Sequence, residues 1–541
     1  MLLYSLKRYN LDMEKVTISK EEYEQLLKLN ETVKSLQTYV LELESTVNFL
    51  KEHLNVSKAH RFGSSSEKNV NLKQMSFDLL FNESEVLADS SLPEPNLATI
   101  TTVKEHQRSK KNSLKVSLPE SIPVIEFHHS EILEGSTCPH CQHELVKFGT
   151  KEHDHLVLAP ARAVLVKDIT DIYKCEHCEN TGEKAVIKEA DYPPSVIPGS
   201  LASAEAIAQI ANEKFVQGTP LYRQEKYWGR FGVNLTRQTM SNWLLYAVSH
   251  HLEPIYNNLC QQILKHEVLH TDETVLQVLH EEGKSPQSKS YMWLYRTSGD
   301  SENAIVIYQY ERYRKQIRPQ TFLEPFQGYL HCDGYTAYHN LPASITCIGC
   351  WAHMKRRLVD AKKALSKNAP VNNLIEEMLN YVEQLFMYEK SLKDKPPDER
   401  YEKRLLYEKP IAETFFKRMA EIDVSEKSYF GKARHYALGQ KKYLMNFFLD
   451  SRLELSNNRA ERSIKPFVIS RKNFSFANTP KGASGSAIYF SLVETCKENG
   501  IDPYAYLVFA LKQSAYLQTK GKPEKIADLT PDYFKKHNNS N

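Results

Sequence analysis

Residues 26–54 carry an apolar repeat that leaves the chain little choice of local structure. Leu26, Leu29, Val33, Leu36, Val40, Leu43, Val47, Leu50 and Leu54 are separated by alternating steps of three and four. That spacing keeps one narrow stripe on one side of a helix. Leu26, Val33, Val40, Val47 and Leu54 share one heptad position, and Leu29, Leu36, Leu43 and Leu50 share the other. Valine at a with leucine at d predicts a parallel two-stranded coiled coil, so at least a dimer. A long amphipathic helix packed on its own domain is the competing expectation. Ser19 with Glu22 opens the segment as a capping box. Met13-Glu-Lys-Val leads straight into it, which makes Met13 an alternative start.

The helix ends in Arg61-Phe-Gly-Ser-Ser-Ser-Glu-Lys68, and residues 63–120 are polar with few aromatics. This composition predicts a linker that buries too little apolar surface to order itself. Its basic run, Arg108 to Lys115, is a solvated stretch or a DNA-backbone contact. Cys138-Pro-His-Cys141 and Cys175-Glu-His-Cys178 follow. Each CxxC puts two thiolates on one turn, and the pair completes a tetrahedral structural Zn2+ site. The apolar, strand-like stretch Ala163 to Tyr173 between them suits a zinc ribbon. His140, His143 and His177 are spare nitrogens beside it. Nine cysteines in 541 residues are too few for a disulfide scaffold, and the odd count fits a reducing cytoplasm. The start, Met1 to Arg8, is too interrupted for a signal peptide, and no apolar run is long enough for a membrane span.

Residues 201–250 read as helices: Ala204 to Val216, Pro220 to Gly232, and a third capped by Thr236 and opening Arg237-Gln238. A helix, a short turn and a helix led by Arg and Gln is a helix-turn-helix pattern, with Arg237 and Gln238 placed to reach base edges. An ordinary helical hairpin fits as well. From residue 266 the texture turns to strands. Val268–Leu279, Ser290–Arg296 and Ala304–Tyr308 come first, then a polar helical stretch from Tyr313 to Glu324. Gly328 to Asp333, Ser344 to Ile348 and a basic helix from Trp351 complete the run. Three strands, a helix, a strand, a helix and a strand is the order of an RNase H-like core.

In that order Asp272 lies inside the first strand and Asp333 at the end of the fourth, so adjacent strands bring them together. A later helix, capped by Ser456, adds Glu461 about one turn in. Converging carboxylates repel unless cations sit between them. A pair of Mg2+ or Mn2+ ions, which prefer oxygen ligands, resolves this and makes a phosphoryl-transfer clamp. Lys355, Arg356, Arg357, Arg462, Lys465, Arg471 and Lys472 are then available for DNA phosphates. Cys347-Ile-Gly-Cys350-Trp-Ala-His353 either ligates a metal or leaves a core cysteine at a strand end with His353 packing or touching a phosphate. Cys260, Cys332 and Cys496 read as buried thiols, and His331 as a strand histidine beside Asp333.

Several strings stand in one order: His270-Thr-Asp-Glu-Thr274, His331-Cys-Asp-Gly-Tyr335, Gly349-Cys-Trp-Ala-His-Met-Lys-Arg-Arg357 and Asn457-Asn-Arg-Ala-Glu-Arg462. Ser470-Arg-Lys-Asn-Phe-Ser-Phe476 and Asn499-Gly-Ile-Asp-Pro-Tyr-Ala-Tyr-Leu507 follow. Together with Arg61–Lys68, the CxxC pair and Pro220-Leu-Tyr-Arg-Gln-Glu225, they resemble the transposase of the insertion sequence 66 family from about residue 20 to 515. The resemblance implies a DDE transposase with Asp272, Asp333 and Glu461 as catalytic acids. It implies terminal inverted repeats and target DNA as partners, small accessory proteins of the same element, and no membrane. A DNA-binding regulator using ribbon and coiled coil without chemistry is the alternative.

The expected chain is therefore multidomain, mixing α+β and α/β. Its parts are a coiled coil (19–56), a linker (57–125), a zinc ribbon (126–190) and a helical DNA-binding region (195–255). A first core part (262–364), a helical insertion (365–450), a final core helix (451–495) and a C-terminal helical segment (496–541) follow. The insertion rests on a stripe of Leu374, Ile375, Met378, Leu379, Val382, Leu385 and Phe386. By analogy it shapes a cleft for DNA ends. The net charge of +3, from 70 basic and 67 acidic residues, averages over Arg108–Lys115, Lys355–Arg357 and Arg462–Lys472, which are locally basic.

Overall fold

The computed structural model describes residues 19–62, 124–129, 137–175, 180 and 187–538, apart from short gaps at 139, 143, 160–161, 315–316, 339 and 366–370. The linker's basic run and Cys178 lie outside the described residues. The chain divides into two units. One holds residues 1–83, 354–387 and 410–439; the other holds 84–353, 388–409 and 440–541.

In the first unit the apolar repeat lies on one helix, Lys20–Phe62. The a and d side chains from Leu29 to Leu54 are exposed, Leu36 at 56% and Leu50 at 53%. The helix uses a different stripe to dock on its own chain. Val56 is buried, Asn55 donates to the Ala364 carbonyl at 3.0 Å, and Glu52 accepts from the Tyr429 amide at 2.9 Å. Lys432 sits over the Phe49 ring at 4.2 Å. Residues 49, 52 and 56 fall away from the a/d seam, so packing among the described residues leaves the seam uncovered. The helices Trp351–Ala364, Val371–Leu392, Lys409–Glu421 and Tyr429–Met445 supply this unit's other surfaces in whole or in part.

The second unit has two sheets. In the smaller one, β1 (Val124–His129) pairs parallel with β3 (Arg162–Lys174). Strand β3 forms a long antiparallel hairpin with β2 (Val146–Ala159), and β4 (Ile187–Glu189) adds to its far end. The hairpin register matches Val146 with Lys174, which brings the segments carrying Cys141 and Cys175 to one end.

The larger sheet is built from β5 (Val268–Gln277), β6 (Lys289–Thr297), β7 (Val306–Glu311), β8 (Gly328–His331) and β9 (Ile345–Ile348). Its order is β7-β6-β5-β8-β9, antiparallel across the first three and parallel across the last three. Met292 through Tyr295 on β6 are fully buried, as befits an interior strand packed by helices. The Asn458–Phe474 helix packs on β5 and β6, and the Pro480–Glu498 helix packs on β7. Strand β7 is an edge, and its amides are met by that helix. Val306 N donates to Thr495 Oγ1 at 3.0 Å and Tyr308 N to Ser491 Oγ at 2.8 Å. This explains two buried hydroxyls on an otherwise apolar helix face.

Three local expectations change. The polar stretch from Tyr313 condenses to a short helix, Ile317–Phe322. Among the described residues, strands β8 and β9 are joined through the 3-10 turn Thr336–Tyr338 rather than an α-helix. Cys260 is only partly buried, unlike Cys332 and Cys496. Gly328 has φ +141°, and a Cβ there would meet the Glu267 carbonyl oxygen at 2.2 Å. Only glycine lets β8 start this close to the segment entering β5.

Candidate active site

The parallel pairing of β5 and β8 decides the geometry. Val268 stands opposite Tyr329, Leu269 opposite Leu330, and His270 opposite His331. Carrying that offset two residues on puts Asp333, just past the carboxyl end of β8, level with Asp272, midway along β5 where its parallel pairing with β8 stops. Side chains open there: the first four residues of β5 are buried, and Asp272 to Val275 are half-buried. Carboxyl ends of parallel strands are where such sheets bind ligands.

The floor beneath the acids is two histidines. His270 and His331 stack with ring centroids 4.2 Å apart and planes 9° from parallel. Both are fully buried, and burial lowers both, His270 to about 3. They are neutral groups that pack and hydrogen bond. His270 Nδ1 meets Asn457 Oδ1 at 3.0 Å, and His331 Nε2 accepts from the Glu454 amide at 3.2 Å.

Asn457 joins the strand bearing Asp272 to the helix bearing Glu461. Its side-chain amide donates to the Thr271 carbonyl at 2.7 Å, and its own amide donates to Cys350 Sγ at 3.1 Å. It also occupies the N-cap position of the Asn458–Phe474 helix, where Ser456 was expected. Its side chain makes no cap bond, because it is spent on β5. The only signal in the sequence was an Asn in a string that also reads as a helix start. Glu461 lies in the first turn of that helix, where the helix dipole favours a negative charge.

Asp272 is pushed up to about 8, first by burial, then by Glu273, with Asp333 and Glu461 adding to it. The Glu273 amide, which donates to Oδ1 at 2.9 Å, offsets part of this. Asp333 Oδ1 accepts from the Tyr335 amide at 2.9 Å. Oxygen donors crowded at the cost of their own ionisation are a set that a hard divalent cation relieves. Glu273, not singled out in the sequence, is buried and held between Arg314 Nε at 2.8 Å and the Tyr338 hydroxyl at 2.5 Å. Burial and then Asp333 push Glu273 up as well, and Tyr338 and Arg314 offset only part of that.

The three acids do not form one tight knot. Among the described residues, one group that does bring three ligand atoms within 4.8 Å of one another is Cys350, His353 and Glu461. Cys138, Cys141 and Cys175 form another, with Cys141 Sγ and Cys175 Sγ 3.4 Å apart. Converged thiols fit a thiophilic ion.

The basic residues scatter. Arg237 and Gln238 are exposed at the start of the Arg237–Ala247 helix, which Thr236 caps through the Thr239 amide. Arg462, Lys465 and Lys472 are exposed on the Glu461 helix, while Arg471 reaches Thr274 Oγ1 at 3.2 Å. Lys355, Arg356 and Arg357 belong to the helical unit. There Lys355 pairs with Glu383 at 3.3 Å and Arg357 lies over the Tyr436 ring at 4.1 Å.

Comparison with known proteins bears on the same segments. The profile described as "Transposase IS66 family" matches residues 199–485, which include Asp272, Asp333 and Glu461. The "IS66 C-terminal element" matches 491–531, and "Transposase C of IS166 homeodomain" matches 49–127. Among curated relatives, uncharacterized protein y4qI of Sinorhizobium fredii (strain NBRC 101917 / NGR234) is 30% identical over 365 residues, 64% of this chain and 66% of that protein. Uncharacterized protein y4jD of the same organism is 26% identical over 504 residues, 90% of this chain and 93% of its own length. With over half its length matched by one family profile, the chain belongs to the IS66 transposase family.

Proposed function

We propose that the protein is a metal-dependent DNA transposase of the DDE type, with an RNase H-like core. It would cleave at the terminal inverted repeats of its element and transfer the 3′-hydroxyl ends to target DNA. The observation that carries this is the raised Asp272, level with Asp333 across a parallel strand pair and within the field of Glu461. The sheet order β7-β6-β5-β8-β9 supports the core assignment.

Asp272, Asp333 and Glu461 would hold magnesium or manganese. When bound, such ions activate the attacking oxygen and stabilise the leaving one. The chain's part is to supply negative oxygens in fixed positions, with Asn457 locking strand to helix and the stacked histidines excluding water beneath. Arg462, Lys465 and Lys472, on the helix of Glu461, would hold phosphates, with Arg471 behind them; Arg237 and Gln238 would contact the element ends, and Lys355, Arg356 and Arg357 further backbone. Cys138, Cys141, Cys175 and Cys178 would hold structural zinc. Small accessory proteins of the element and a cytoplasmic, nucleoid-associated location complete the proposal. No helix among the described residues is long and apolar enough to cross a membrane.

A duplex carrying an element end, incubated with the protein, magnesium and target DNA, should yield products joined through the 3′ end. Sequence-specific binding with no magnesium-dependent nicking would favour the regulator instead, and nicking without joined products would leave only a nuclease.

The exposed a/d seam supports a coiled-coil dimer that pairs two ends. Changing both Leu36 and Leu43 to Lys removes a burial of about 1.5–3 kcal/mol per leucine, so dimer affinity should fall at least about 100-fold. Sedimentation equilibrium checks this; a wild-type monomer would end the zipper proposal.

A further inference from the structure

The Cys347–His353 string splits in the fold. Cys347 Sγ donates to the Tyr338 carbonyl at 3.1 Å, away from its neighbours in sequence. Cys350 and His353 instead converge with Glu461 from a different helix, 108 positions from His353 by subtraction. The three ligand atoms lie within 4.8 Å of one another, and His353 Nε2 is 3.7 Å from Glu461 Oε1. We propose that Cys350, His353 and Glu461 form a binding site for a zinc-class cation, one that draws Glu461 away from Asp272 and Asp333.

The donor chemistry selects the ion. One sulfur, one nitrogen and one oxygen suit zinc, cobalt(II) or cadmium, whereas magnesium demands oxygens in an octahedron. Zinc bonds of about 2.0–2.3 Å in a tetrahedron set donors roughly 3.3–3.8 Å apart, so small side-chain rotations close the site. Charge balances as well. A thiolate and a carboxylate cancel a divalent ion, and the neutral imidazole adds nothing. A neutral centre suits a place where Cys350 is 1% exposed and the His353 side chain 25%.

The scaffold holds the ligands in place. Cys350 immediately precedes the Trp351–Ala364 helix and His353 lies in its first turn, with His353 N bonded to the Cys350 carbonyl at 3.2 Å. Burial pushes the Cys350 thiol up to about 11, so a metal must displace its proton, and the Asn457 amide, which points at the sulfur from 3.1 Å, offsets part of that cost. Asn457 also fixes the helix that carries Glu461. Three protein ligands leave a fourth position for water.

The binding stands on these residues alone. The competition rests on the magnesium-dependent function proposed above. A zinc-filled site would hold the third carboxylate, so zinc added at fixed magnesium should suppress strand cleavage.

The test uses the full-length, metal-stripped protein titrated with cobalt(II) and with zinc. Wild type should bind about one equivalent more zinc than Cys350→Ser, and that variant should lose part of the thiolate-to-cobalt charge-transfer band. His353→Gln should weaken binding at least about tenfold and shift the cobalt ligand-field bands. Asp272→Asn should leave the cobalt spectrum unchanged. Equal metal content and identical spectra in wild type and His353→Gln overturn the proposal, as does a spectrum lost in Asp272→Asn. If Cys350→Ser does not fold, the half-exposed His353 variant carries the test. Zinc inhibition should be weaker in His353→Gln than in wild type, and equal inhibition overturns the competition. Absence of any cleavage without zinc would count against the transposase function, while the spectra still decide the site.

Discussion

Asp272→Asn should lose strand cleavage by at least about 10²–10³-fold, the scale of removing one preorganised electrostatic partner at a reacting centre. Binding to element ends should persist, since Asp272 is an acid beneath the cleft and no donor to phosphate. The same variant has a second signature. Folded Asp272 sits at about 8, against about 3.9 for an aspartate in an unfolded chain. Between those values the folded protein keeps a proton that the unfolded chain releases. Without divalent ions, stability therefore falls as pH rises from about 4 to about 8. Asp272→Asn removes that slope and should melt above wild type at the alkaline end. Magnesium should raise the wild type and narrow the gap. Cleavage assays and melting curves across pH, with and without magnesium, check both; an active variant would sink the acid assignment, and a flat wild-type pH profile the crowding argument.

The second large effect is expected at Arg296, which no motif marks. Its side chain is 2% exposed near the carboxyl end of β6. Its guanidinium holds both Glu498 oxygens at 3.0 Å and also donates to the Ser463 hydroxyl. Ser463 is two residues beyond Glu461, so one cation ties β6 to the helix of Glu461 and to the Pro480–Glu498 helix. Breaking a buried pair of this kind costs about 3–5 kcal/mol. The lower end applies because the Glu498 side chain is 34% exposed and can rehydrate. Arg296→Ala should lower the denaturation midpoint accordingly and reduce cleavage further than stability alone explains. Arg296→Lys, which restores charge without the two-pronged geometry, should recover part of the stability and less of the cleavage. Unchanged cleavage in folded Arg296→Ala would remove the positioning role.

Periodicity and local chemistry made much of this legible. The heptad from Leu26 to Leu54 specified one helix because a stripe of period 3.5 fits nothing else. The alternation around Asp272 specified a strand. Thr236 was readable as a cap because its hydroxyl needs only its neighbour Thr239. Bonds made far along the chain were hidden. Asn457 looks like a cap in sequence, yet its side chain serves residues 186 and 187 positions away. Arg296 is one arginine among many until Glu498 folds against it. The Cys350, His353 and Glu461 group was half visible: CxxH is local, but its carboxylate arrives from another helix. The same long-range pairing explains why the string's first cysteine left the group.

Gly328 has an implication for how such a chain can diverge. It sets where β8 begins against β5, and so where Asp333 ends up five residues later. Any added carbon there must displace a backbone carbonyl rather than a movable side chain. A surface side chain can change and meet only water, but any carbon added at this position meets backbone. The positions whose change would disturb this sheet thus include a residue with no side chain at all.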